Sequence, residues 1–265
     1  MKKGMVITAV VLLLTGLILF GTAFELGDFD FPIHGNVKLT ENTYRENTYP
    51  VDQTVTGIEL NTSEADILFA PTDPPGCAVI CEEPEKVTYA VTVENGTLKI
   101  AVDDQRTWTD RLTLFAKSPT VTVCLPEGPY ESLRIDGRTG DVTIPGGFSF
   151  GSIDITLSTG DVVCGASADE HSFIQTSTGD VTCNACTAGQ LRIETSTGDV
   201  RLNNCDAESI LIKTSTGDVT GTLRSEKVFA AKTSTGKVSV PDTASGGRCE
   251  ITTSTGDIRI ELVGE

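Results

Sequence analysis

A motif reading Thr-Gly-Asp-Val, or a near copy, recurs seven times in the second half of this chain at a spacing of 19 or 20 residues. Its glycines are Gly140, Gly160, Gly179, Gly198, Gly217, Gly236 and Gly256. A fixed period of that length marks a solenoid, in which each repeat is too small to bury its own apolar face and must stack on its neighbours.

Aligning the copies on their glycine gives the register. Two and four residues after it stand Val142 and Ile144, Val162 and Cys164, Val181 and Cys183, Val200 and Leu202, Val238 and Val240, Ile258 and Ile260. Seven and five residues before it stand Leu133 and Ile135, Ile153 and Ile155, Leu191 and Ile193, Ile210 and Ile212, Phe229 and Ala231, Cys249 and Ile251. The positions between are Asp136, Thr156, Gln175, Glu194, Lys213, Lys232 and Thr252, so apolar and polar residues alternate with the period of two that a strand requires. Each repeat therefore reads as strand, Ser-Thr-Gly-Asp bend, strand and return loop.

The expected fold is all-β: a single-stranded parallel β-helix of 19–20-residue rungs over residues 131–265, with like residues stacked about 4.8 Å apart. Antiparallel hairpins packed as a sandwich would use the same repeat length, but identical bends at one corner favour the parallel stack. Residues 51–130 form a first β-rich section. It contains a hairpin signal, Tyr89 to Glu94 and Thr97 to Val102 around the two-residue turn Asn95-Gly96. Residues 25–50 read as a linker, with Pro32, Gly35, Asn36 and little apolar periodicity.

Residues 5–24 carry no charge, and about 20 apolar residues at 1.5 Å each cross a hydrocarbon core of about 30 Å. Lys2 and Lys3 precede the run and Glu25, Asp28 and Asp30 follow it. Residues 1–4 are therefore expected in the cytoplasm and the body outside, as a single-pass protein of a bacterial cytoplasmic membrane. A cleaved signal peptide ending near Gly21-Thr22-Ala23 competes with this reading. Its apolar core is ordinarily about 7–15 residues, shorter than this run, so an uncleaved anchor is expected. No cysteine follows the run where a lipoprotein needs one.

The net charge of −17 repels phosphate backbones, so nucleic acid is not an expected partner. The two histidines, His34 in the linker and His171 in a return loop, are poorly placed for a histidine-based triad, and no Gly-rich phosphate loop follows a strand. Neither an enzyme nor a cofactor is expected.

Asp141, Asp161, Asp180, Asp199, Asp218 and Asp257 occupy one place in each bend, so their carboxylates repel unless screened or bridged. They are the candidate calcium ligands. The plainer reading is that Thr, Gly and Asp form turns, with Asp and Ser bonding local amides. Lys237 replaces Asp in one copy and is expected to break the like-charge column. In register, Cys164 should lie under Cys183, and Cys186 under Cys205. The eight cysteines read mainly as small buried hydrophobes, with disulfides and a zinc site at Cys183-x-x-Cys186 as alternatives.

The stretch from Val121 through Leu125-Pro126-Glu127-Gly128 to Val142, the Ser-Thr-Gly-Asp-Val series and the hairpin segment Glu94 to Ile100 resemble bacterial β-strand-repeat proteins of unknown function named "putative adhesins". The resemblance covers residues 51–265. It implies an exported or membrane-anchored β-solenoid of the kind associated with envelope proteins and envelope-stress systems, and it brings no catalytic residues. The expected role is an adhesin-like binding or scaffold protein whose partner is a protein or glycan of the envelope or surface. A sensory or regulatory ectodomain acting through a membrane partner is the alternative, and a carbohydrate-active enzyme on a β-helix comes third.

Overall fold

The computed structural model describes residues 44–74, 76–107 and 118–263. The apolar run 5–24, the residues before it and His34 lie outside the described residues. Among the described residues there is no helix, and so none long and apolar enough to cross a membrane.

The alternating sequence folds as its period dictates. Each repeat supplies one strand to each of two sheets, with the Ser-Thr-Gly-Asp bend as the corner between them. In the first sheet Ile135, Ile155, Ile174, Ile193, Ile212 and Ile251 lie one above another in parallel register. In the second, Val142, Val162, Val181, Val200, Val219 and Ile258 do the same. All twelve side chains are at most 1% exposed. Burying each is worth about 1.5–3 kcal/mol before ordering entropy is subtracted, so the column of like residues is what holds the rungs together. The pairing is parallel, as a solenoid demands, and not that of stacked hairpins.

The return side is tighter than a loop in places. Val200–Lys213 is one unbroken strand whose first part belongs to one sheet and whose second part belongs to the other. It turns at Asn204, which adopts φ +57°.

Rungs do not stack in chain order at either end. Strand Gly57–Glu64 pairs with Thr97–Asp104 on one side and Gly128–Thr139 on the other, and Asp66–Thr72 lies between Thr120–Pro126 and Val142–Ile144. The earliest rung is thus the second in the stack. At the far end, Gly247–Thr255 sits between the 206–213 part of Val200–Lys213 and Lys227–Thr235, and Ile258–Leu262 between Val219–Leu223 and Val238–Ser239. The last rung of the sequence is clasped by the two before it.

Two expected boundaries shift. Residues 45–50, read as linker, form the strand Arg45–Pro50, antiparallel to Ala78–Glu83. Residues 51–130 are not a separate section, because their parallel strands continue the same stack. They also cap it: Val87–Glu94 runs antiparallel to Thr97–Asp104, and Ala78–Glu83 antiparallel to Thr120–Pro126. The buried Glu83 ties the cap together by accepting from Asn47 Nδ2 and Tyr49 Oη, both at 2.6 Å.

Candidate functional site

The corner comes first, since the repeat singled it out. Each of the seven turn glycines has φ between +136° and +152°. At Gly198 an added Cβ would lie 1.9 Å from the Gly179 carbonyl oxygen, and at the other six that nearest backbone oxygen is 2.0–2.1 Å away. Only glycine lets the corners of successive rungs approach this closely.

The aspartates form a ladder rather than bonding their own turn. Oδ1 of Asp141 accepts the backbone N–H of Asp161, Asp161 that of Asp180, Asp180 that of Asp199, Asp199 that of Asp218, and Asp218 that of Asp257, all at 2.7–2.8 Å. Amide donors aimed at each carboxylate offset the repulsion along the column. Arg201 adds a bridge, with Nη1 on Asp180 Oδ2 at 2.8 Å and Nη2 on Asp199 Oδ2 at 2.7 Å. Asp257 Oδ1 accepts from Lys237 N, so one oxygen of every candidate calcium ligand is engaged. Among the described residues no group of three or more His, Cys, Asp or Glu is arranged to hold a metal ion.

One further member of the column was not read from the sequence, and one behaves differently from the expectation. Asp66 starts it, accepting from Asp141 N at 3.0 Å. Its bend, Ser63-Glu64-Ala65-Asp66, has alanine in place of glycine, which hid the match. Lys237 does not break the column but ends it, because its rung is the last of the stack among the described residues and its N–H donates to Asp257 Oδ1 at 2.7 Å. Behind the corner, Thr176, Thr195, Thr214 and Thr253 point inward and donate to the glycine carbonyl of a neighbouring rung. What the corner leaves open is the Ser-Thr pair of each bend, such as Ser177-Thr178 and Ser196-Thr197, both exposed.

The end of the stack is a different surface. Strands Lys227–Thr235 and Val238–Ser239 each pair along one edge, with Gly247–Thr255 and Ile258–Leu262. Among the described residues no strand pairs with the other edge. Val238 holds the position at which Val200 and Val219 are 0% exposed, yet it is 45% exposed, so the inner face of this rung is open. Residues 227–239 carry Lys227, Lys232 and Lys237 and no acidic residue, in a chain of net charge −17.

The sequence profile of the Toastrack DUF4097 family matches residues 55–265. The chain belongs to that family. We find no curated protein similar to it in sequence. Among solved structures, a "putative adhesin" of Bacteroides fragilis is similar at 16% identity with a TM-score of 0.54, covering 84% of this chain and all (100%) of that one. A "putative cell adhesion protein" of Clostridium sporogenes is similar at 15% identity and a TM-score of 0.38, over 83% of this chain and 99% of that one. What the first of these shares with this Toastrack chain is the fold.

Beside the open end of the Toastrack stack runs a groove of about 600 Å³ along the return corners, lined in part by Asp206, Ser225, Lys227, Gly246 and Gly247. The Lys227 side chain is 4% exposed, and its Nζ lies 2.7 Å from Asp206 Oδ1 and also donates to Ser225 Oγ. The bridge spans the intervening rung, passing Gly246 and Gly247, which present no side chain. Sequence reading missed it because the partners lie two rungs apart.

The carboxylates give an acid-sensitive stability. Burial alone would raise the pKa of Asp206, but hydrogen bonds from Lys227 and Ser225 outweigh it and the net shift is downward. Asp180 is lowered first by its hydrogen bond to Arg201 and then by the Asp199 amide. A depressed folded-state pKa stabilises above the unfolded value of about 3.9 and is lost as pH falls through the folded value. The denaturation midpoint should therefore fall as pH drops below about 4, and Lys227→Met should flatten that fall. An equal acid slope in the variant would refute the assignment to the Lys227 bridge.

The cysteines occupy the expected register. Cys164 pairs directly with Cys183, and Cys186 and Cys205 are neighbours with sulfurs 3.3 Å apart. None of the eight is bonded to another in this structure, and six of them are buried. Burial pushes Cys81, Cys164 and Cys249 up to about 12, which keeps those thiols protonated at neutral pH.

Proposed function

We propose that this chain is a membrane-anchored, extracytoplasmic binding or scaffold protein of a bacterial envelope. In this reading residues 5–24 hold it in the cytoplasmic membrane with the N-terminus inside, and the solenoid outside engages its partner at the open rung 227–240. The observation that supports the binding rung is Val238, a core-position residue left 45% exposed beside two strand edges that no other described strand pairs with, and the membrane placement rests on the charge-free run 5–24.

A partner that fits is an extended polypeptide segment adding as a further strand, with main-chain hydrogen bonds giving affinity and alternate side chains giving choice. Its apolar residues would cover Phe229, Ala231 and Val238, and its acidic residues would meet the exposed Lys232 and Lys237. Two copies of this rung meeting edge to edge would instead oppose lysine to lysine, which disfavours self-pairing. A binding role is also the one named for the Bacteroides fragilis neighbour.

The test is fluorescence anisotropy of the full chain with two labelled strand-forming peptides, one alternating Val with Glu and one alternating Val with Lys. Tighter binding of the Glu peptide, reversed by the double substitution K232E and K237E, is expected. Equal binding of both peptides, or indifference to the substitutions, overturns the site. For the placement, a membrane-impermeant amine-reactive label added to intact cells should modify the exposed Lys232 and Lys237, and deleting residues 5–24 should release the chain from the membrane fraction.

A further inference from the structure

Cys186 and Cys205 arrive at the same point of successive rungs by the same local geometry. Each follows a residue in the left-handed region, Ala185 at φ +51° and Asn204 at φ +57°, so the two return corners superpose. Backbone hydrogen bonds clamp the pair on both flanks, Ala185 N to Asn203 O at 2.8 Å and Asp206 N to Cys186 O at 3.0 Å. Adjacent parallel rungs lie about 4.8 Å apart. That is inside the range of about 4.4–6.8 Å over which two Cα atoms accept a disulfide.

The sulfurs already lie 3.3 Å apart, with Cys186 donating to Cys205. A small rotation of the two side chains brings them to bonding distance. Cys164 and Cys183 share a register too, but Cys164 Sγ donates to Ala166 O at 3.8 Å rather than to a sulfur. Cys186 is the more accessible of the close pair, 4% exposed against 0% for Cys205.

We infer that Cys186 and Cys205 form an inter-rung disulfide that staples the return corners of two neighbouring rungs. The oxidant is a disulfide, small-molecule or carried by a thiol oxidoreductase. The Cys186 thiolate attacks one of its sulfurs, forming a mixed disulfide and releasing one thiol. The Cys205 thiolate then displaces the second thiol from Cys186 Sγ. Two thiols of the chain lose two electrons and two protons, and the oxidant leaves as two thiols. The pairing rests on the superposed corners and the 3.3 Å sulfur separation, while its formation in a cell rests on the extracytoplasmic placement proposed above, because cytosolic thiols stay reduced.

The experiment refolds the purified full chain in excess glutathione disulfide, alkylates the remaining thiols in denaturant and maps the peptides without reduction. The expected result is a cross-linked peptide pair containing Cys186 and Cys205, with the other six cysteines alkylated. The oxidised chain should also melt several degrees higher than after reductant, and C186A and C205A should show neither cross-link nor redox-dependent melting. Eight alkylated cysteines, or a cross-link joining Cys186 to Cys183 instead, overturns the proposal. The wild-type map decides the matter even if a substituted chain folds poorly.

Discussion

Replacing Gly198 with alanine is expected to destabilise the solenoid by about 3–5 kcal/mol, the scale at which single substitutions become exceptional. The added Cβ would stand 1.9 Å from the Gly179 carbonyl oxygen and 2.5 Å from its carbon, both backbone atoms that no rotamer change can move aside. The backbone there also has φ +152°, which a Cβ-bearing residue adopts at a cost. Relief requires the two corners to separate, loosening Gly179 N to Thr197 O and the bond from Asp199 N to Asp180 Oδ1. Ser196→Ala, two residues away and exposed, should change stability by less than about 0.5 kcal/mol. Denaturant titration of both variants checks this, and a Gly198→Ala midpoint equal to that of Ser196→Ala would show that the corners have room to spare.

Removing residues 247–265 should cost two rungs rather than one. The deleted segment contributes Cys249, Ile251, Ile258 and Ile260, all at most 2% exposed, or roughly 6–12 kcal/mol of gross burial. Among the described residues it is also the only neighbour with which Lys227–Thr235 and Val238–Ser239 pair in register. Without it, rung 227–240 is expected to become cleavable by trypsin at Lys232 and Lys237 while the stack up to Leu223 stays protected. Refilling the vacated place would set Lys232 against Lys213, charges that the neutral Thr252 now separates. Retained protection at both lysines in the truncated chain would mean that the rung drops into the gap.

The same two regions show how far the sequence could be read. Within a rung almost everything was legible, because alternation assigns each side chain to a face and the glycine marks the corner. The exposure of Thr156 and Lys213 and the complete burial of Val200 and Ile193 follow that pattern. The order of the rungs was not legible. Stacking like on like makes every interface resemble every other, so Val219 is satisfied by Ile258 as well as by Val238. What distinguishes the orders lies between repeats, in Lys213, Thr252 and Lys232 and in the reach of Lys227 to Asp206. Those pairings depend on neighbours that a repeat alignment does not name. The aspartate ladder was half legible: the column was evident, but its partners were sought within each turn, whereas the amides come from the next rung.

Strand Ile258–Leu262 is held along both of its edges, although it follows every other strand of the stack in sequence. A load applied at Leu262 must slide strand Ile258–Leu262 against Val219–Leu223 and Val238–Ser239 together, a shearing of two parallel interfaces. A solenoid wound in simple order would unzip from its terminus one turn at a time. Tucking the final turn inside converts the weakest point of such a fold into one held from both sides.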